Sequence, residues 1–181
     1  MSEPGPRQPP RLLRVVGPPG SGKSLLITSL VDSLRSRGYR SAAVVQRGEA
    51  TTVITLSTGS RSTLDRSVPL SYLATVVGWV DPTVHLVLAE AYEERGAPAV
   101  ELRPQGAPPY GVPEDELLAV VETEAIAAAF ARGGPGDTIG LADRIERELL
   151  GGPGTPDAAP GAEGGAPDVV GRFLRRFRWP G

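Results

Sequence analysis

Apolar and polar positions along the chain switch repeatedly between the two-residue period of strands and the 3.6-residue period of helices. Leu12, Leu13, Val15 and Val16 make an apolar run of strand length. Leu26, Leu30 and Leu34, flanked by Ile27 and Val31, then recur at helical spacing up to Gly38, which is suited to stop a helix. Residues 39–46, with Ala42, Ala43, Val44 and Val45, read as a buried strand, and residues 51–57 as another. With only residues 47–50 between them, an antiparallel pair is expected rather than a crossover. Thr58, Gly59 and Ser60 read as a turn. Residues 69–80 place Leu70, Leu73, Val76 and Val77 on one side of a helix that Asp81 and Pro82 break. Residues 85–89 are apolar enough for a buried parallel strand ending at Glu90, and residues 99–102 form a short strand before the Pro/Gly stretch 104–113.

The following segment supports two readings. Pro113, Glu114, Asp115 and Glu116 make a good helix start that propensity would carry to Arg132, and residues 117–121 equally suit a core strand followed by a helix. Asp137 is a candidate N-cap for a last helix whose Leu141, Ile145 and Leu149 share a face. Ten of the eighteen residues 151–168 are Gly or Pro, the composition of a flexible linker. The expected organisation is a disordered Pro-rich arm (residues 1–10), one α/β domain (11–150), the linker (151–168) and a C-terminal segment (169–181). That segment interleaves Arg172, Arg175, Arg176 and Arg178 with aromatic residues; as a helix it would align Val170, Phe173, Leu174 and Phe177. It is too short to be stable alone and should order only on contact, either with its own domain or with a partner.

Composition narrows the classes. A chain of 181 residues without cysteine has no disulfide framework and no thiolate zinc site. The N-terminal residues lack the apolar core of a secretory signal, and no apolar run reaches the ~20 residues needed to span a bilayer, so a cytoplasmic protein without a transmembrane segment is expected. Net charge is −2, and the four arginines of the last thirteen residues leave the remainder at about −6, which speaks against nucleic acid as a partner.

The basic residues carry a sharper signal. Among nineteen Lys and Arg there is one lysine, Lys23, inside Gly17-Pro18-Pro19-Gly20-Ser21-Gly22-Lys23-Ser24. This fits the P-loop pattern G-x-x-x-x-G-K-[ST], in which backbone N–H groups cradle phosphates, the lysine reaches the β- and γ-phosphates and the following hydroxyl serves Mg²⁺. The motif should lie between a strand and a helix, and the flanking periodicities supply both. Gly17, Gly20, Ser21, Gly22, Lys23, Ser24 and Leu25 are therefore the expected nucleotide-binding residues, with Ser24 a metal ligand.

A P-loop also calls for an acid at the end of a neighbouring strand, placed to hold Mg²⁺ directly or through water. Glu90 is the best candidate, and Asp65 and Glu49, both in loops between strands, are weaker ones. His85 lies inside an apolar strand, where a hydrogen-bonded core histidine is the better reading than a general base, and no Ser-His-Asp set surrounds it. Arg61, in the turn after a strand, reads as a solvated loop residue with contact to a phosphate or a partner as the alternative.

The P-loop and its helix, followed by RGYRSAAVV (residues 37–45), HLVLAEAY (85–92) and APAVEL (97–102), resemble the molybdopterin-guanine dinucleotide biosynthesis adaptor family (MobB type), which has similar strings in the same order. The resemblance covers roughly residues 11–103 and more faintly 117–149. It implies a P-loop NTPase-like three-layer fold with a mainly parallel sheet, binding of GTP (or ATP) with Mg²⁺, a homodimer, and assistance to a molybdopterin nucleotidyltransferase. Glu90 matches the glutamate of the family's VEG string, followed here by Ala91 instead of glycine. The family's Lys-His pair and longer loop after the second strand are replaced by residues 46–50, so weak or absent hydrolysis is expected. The family's guanine-reading Thr-Asp is at best Thr123-Glu124, where a surface glutamate opening a helix is the competing reading. The alternatives from other classes are a small ATP-using kinase or phosphotransferase and a nucleotide-gated interaction module that uses the Arg/aromatic C-terminal segment.

Overall fold

A computed structural model describes residues 9–48, 50–131 and 138–152. Among the described residues seven strands form one sheet: β1 (Arg11–Val16), β2 (Ser41–Arg47), β3 (Thr51–Leu56), β4 (Arg61–Leu64), β5 (Leu86–Glu90), β6 (Ala99–Arg103) and β7 (Leu117–Glu122). Their order is β4-β3-β2-β5-β1-β6-β7. The five strands β2, β5, β1, β6 and β7 are parallel, and β3 and β4 extend the sheet as an antiparallel meander beside β2. The helices are α1 (Lys23–Ser36), α2 (Leu70–Val80), α3 (Thr123–Ala131) and α4 (Thr138–Leu149). This is a mixed α/β, P-loop NTPase-like architecture.

Parallel strands are covered on both faces, and the central ones are accordingly apolar on both. On one face Leu13, Val15, Leu86, Leu88, Val100 and Leu102 pack with Leu26, Leu30 and Leu34 of α1, Ile126 of α3, and Leu141 and Ile145 of α4. On the other, Ala42, Val44, Ile54, Val87 and Ala89 meet Leu70, Leu73, Val76 and Val77 of α2. Each fully buried leucine contributes about 1.5–3 kcal/mol.

The helix predicted to stop at Gly38 does so by backbone bonding. Gly38 (φ 87°) donates its N–H to Arg35 O at 3.0 Å, and Tyr39 donates to Leu34 O at 3.0 Å, the paired bonds of a Schellman motif. The expected antiparallel pairing of β2 and β3 is present, with Arg47 opposite Thr51. Strand β4 went unread: Arg61 is not in a turn but opens a strand, opposite Thr55. Its sequence, RSTL, holds one apolar residue, because an edge strand needs only one side chain, Leu64, in the core.

The ambiguous segment resolves as strand then helix. Glu116 N–H donates to Pro113 O and Leu117 N–H to Glu114 O, one turn that goes no further. The chain then pairs with β6 from Leu117 onward, exchanging helix propensity for sheet bonds and burial of Leu118. Leu141 and Ile145 of α4 are buried and Leu149 packs beside them, the face expected from sequence. Asp137, the expected cap, lies outside the described residues, as do Glu49 and the segment 169–181. Among the described residues no helix is long and apolar enough to cross a membrane.

Candidate functional site

Strand β1 ends at Val16, and the next residues turn sharply into α1. Gly17, Gly20 and Gly22 have φ values of 149°, 76° and 89°, a conformation open to glycine and strained for other residues. At Gly17 a side chain is also excluded by space: a Cβ would stand 2.6 Å from the carbonyl oxygen of Leu102 on β6. The loop is therefore pressed against the neighbouring strand, and Ser21 is buried beside it with its hydroxyl lacking a hydrogen-bond partner among the described residues.

Helix α1 begins without the usual provisions. Its N-cap is Gly22, no side chain caps it, and no acid occupies its first turn. The first helical bond runs from Leu26 N–H to Gly22 O at 2.9 Å, so the N–H groups of Gly22, Lys23, Ser24 and Leu25 precede it. These donors and the positive end of the helix dipole lie together at the start of α1, which suits an anion.

Lys23 Nζ donates to Gly17 O at 2.9 Å and to Pro18 O at 2.8 Å, tying the ammonium across its own loop. Two of its three donors are so engaged, leaving one for a ligand. Ser24 Oγ lies 2.9 and 3.0 Å from the two carboxylate oxygens of Glu90, to which it donates. The pairing follows from strand order: β5 lies next to β1, with Val15 level with Glu90, so the end of β5 stands beside the start of α1. A hydroxyl and a carboxylate at this separation are hard oxygen donors of the type Mg²⁺ takes, alongside phosphate oxygens. The glycine φ angles, the uncapped N–H groups and this oxygen pair fit a Mg²⁺–nucleoside triphosphate.

The other sequence candidates fall elsewhere. Asp65 follows β4, three strand positions from β5, or about 14 Å at ordinary spacing. Arg61 is exposed at the start of the same edge strand. His85 precedes β5 at the end opposite Glu90; its Nδ1 accepts the Arg40 N–H at 3.0 Å and its ring meets Tyr39 edge-on. Burial holds its pKa below the ordinary histidine value. It is hydrogen-bonded as expected, but half-buried and just before the strand rather than a core residue within it.

Thr123 and Glu124 open α3, and Ile126 on the next turn is the nearest side chain to a Cβ built at Gly22, 3.8 Å away. Glu124 accepts the N–H of Gln105, from the loop after β6, at 3.1 Å, and Thr123 Oγ1 is buried without a partner among the described residues. The loop after β6 and the start of α3 thus converge beside the glycine turn. Sequence reasoning missed Gln105 altogether, since nothing in a Pro/Gly stretch marks one backbone N–H. Gln46, at the end of β2, donates to Ser67 Oγ at 2.6 Å, and the register of β2 and β3 leaves only residues 48–50 to connect them.

The fold and this loop define a P-loop-type α/β protein. Among solved structures the chain is similar to a MobB protein homolog from Bacillus stearothermophilus (18% identity, TM-score 0.40) and to MobB of Bacillus subtilis (14%, 0.43), each match covering 67% of this chain and 96% of the other. It is also similar to a molybdopterin-guanine biosynthesis protein B (23%, 0.40; 67% of this chain and 98% of that one). No family model and no curated protein sequence matches.

Proposed function

We propose that this protein binds a purine nucleoside triphosphate, GTP in preference to ATP, together with Mg²⁺, and acts as an adaptor of the molybdenum cofactor type with weak or absent hydrolysis. The observation that carries the binding reading is the hydrogen bond of Ser24 to Glu90 at the uncapped start of α1. Residues 17–25 would surround the phosphates, Lys23 would neutralise them, and Ser24 and Glu90 would hold Mg²⁺, which would screen the phosphate charge. The adaptor role rests on the strings RGYRSAAVV, HLVLAEAY and APAVEL.

The preference for guanine is supported by Glu124, whose carboxylate keeps acceptor capacity after taking the Gln105 N–H. Guanine offers adjacent N–H donors on its Watson–Crick edge, whereas adenine offers none to a carboxylate at the corresponding ring nitrogen. Weak turnover is supported by the short β2–β3 connection and by the engagement of Gln46 with Ser67, which leave little to orient an attacking water.

Calorimetric titration of GTP and ATP, each with and without Mg²⁺, tests the proposal. GTP should bind at least tenfold more tightly than ATP, and Glu90→Gln should abolish most of the Mg²⁺ dependence. Equal affinity for the two nucleotides would remove the guanine assignment, and an unaltered Mg²⁺ response in Glu90→Gln would remove the metal assignment.

A further inference from the structure

Alternation along β1 sends Arg14 and Val16 to the sheet face away from α1. There the two residues line a pocket of about 410 Å³ with Glu93, Arg95 and the loop residues Tyr110, Gly111, Val112 and Pro113. Pockets of 300–1,000 Å³ are the usual size for small ligands. Val16 directly precedes Gly17, so the pocket lies at the same strand end as the loop that precedes α1, on the face away from that helix.

The pocket wall is built on charge. The Arg14 side chain is 3% exposed, donates from Nε to Ala97 O at 3.1 Å, and forms a salt bridge with Glu116. Glu116 also takes the Gly96 N–H at 2.8 Å, which fixes the loop that carries Arg95. Glu101, buried on β6, accepts the Tyr110 N–H at 2.9 Å and Arg103 Nε at 2.7 Å, fastening the opposite loop to the sheet. Glu93 accepts the Tyr110 hydroxyl at 3.2 Å. Glu116 is thus spent on backbone and arginine groups of the frame, while Glu101 takes both of its bonds at Oε1 and its Oε2 is buried without a partner among the described residues. Arg95 has no hydrogen bond or ion pair with a described residue. Arg14 keeps N–H donors beyond those its two partners use. Burial, and secondarily the repulsion of Arg95, push the Arg14 pKa down against the pull of Glu116, so the two cations are within electrostatic reach of each other. An anion between them would relieve that repulsion, and arginine's fork of donors matches phosphate and carboxylate oxygens.

We propose that this pocket is a second ligand site, for a small organic molecule whose phosphate or carboxylate group is held by Arg95 and Arg14 and whose hydroxyl or amino group donates to Glu93. Tyr110 gives the ligand an aromatic wall.

Backbone amide chemical shifts of full-length Lys23→Ala protein, in which the phosphate-binding loop is weakened, are followed during titration with inorganic phosphate and separately with malonate, at constant ionic strength set by chloride. Saturable shifts at Arg95, Tyr110 and Gly111 are expected with at least one of the two anions, and the anion that saturates identifies the ligand's acidic group. Arg95→Gln should weaken that binding about tenfold or more, and Arg95→Lys should restore part of it. Arg95 is exposed, so these variants should keep the parent's urea midpoint. Shifts confined to residues 17–25, shifts linear in concentration for both anions, or an affinity unchanged by Arg95→Gln would overturn the proposal.

Discussion

The two ends of α1 are both set by a glycine in the left-handed region, Gly22 at φ 89° and Gly38 at φ 87°. At the C-terminal end the protein satisfies itself. Gly38 and Tyr39 close the last carbonyls, Arg37 bonds Asp143 and Glu146 of α4 at 2.5 and 2.8 Å, and the Tyr39 hydroxyl donates to Glu146 at 2.9 Å. At the N-terminal end the first-turn N–H groups have neither a capping side chain nor an acid. The same local conformation therefore finishes a helix at one end and leaves it unfinished at the other. The protein supplies its own partners at the end that packs against α4, and at the other end leaves free donors of the kind an anion takes.

Substitutions at the glycines test that contrast. Gly17→Ala should have the largest effect, because its Cβ would collide with the Leu102 carbonyl as well as strain the backbone; a loss of about 2–4 kcal/mol is expected in urea unfolding. A midpoint unchanged from wild type would mean the loop is not pressed against β6. Gly22→Ala and Gly38→Ala should each cost about 1–2 kcal/mol for the left-handed conformation. Only Gly22→Ala should also weaken nucleotide binding, and equal affinity losses in both variants would erase the distinction between the two ends.

A smaller effect lies on the other face of the sheet. Burial pushes the Glu101 carboxyl up, but hydrogen bonds from Arg103 and the Tyr110 N–H outweigh it and hold the pKa below the ordinary glutamate value. The folded state therefore binds the proton less tightly than the unfolded chain. The resulting stability is present above that value and is lost as pH falls through the lowered pKa. Acid unfolding should accordingly be less steep in Glu101→Gln than in wild type, as followed by circular dichroism between pH 5 and about pH 2.

Most of this arrangement was readable from sequence where one local cause dominates. Lys23 and its glycines announce a turn by composition, Gly38 a helix end by its freedom, and Leu70, Leu73, Val76 and Val77 a face by their period. Glu90 was legible as a strand-end acid, but its approach to Ser24 depends on β5 inserting between β1 and β2, which no local pattern encodes. Strand β4 escaped because an edge strand buries little. Residues 117–121 stayed ambiguous because a short apolar run satisfies either period until β6 offers a partner. Arg14 escaped for the opposite reason: an arginine inside a central strand reads as a break in the pattern, and only the third dimension supplies Glu116 and Ala97 O to hold it. The pocket beside it is assembled from two loops that sequence reasoning left blank.

Whether a nucleotide completes the open end of α1 is decided by calorimetric titration of Mg²⁺–GTP into wild-type and Lys23→Ala protein. Wild type should bind with micromolar affinity. Loss of the lysine ammonium should weaken binding by about thirtyfold or more, close to 2 kcal/mol, while the urea midpoint changes little. Equal affinity in the two proteins, or no binding to wild type, would mean that Lys23 and its loop do not hold a nucleotide.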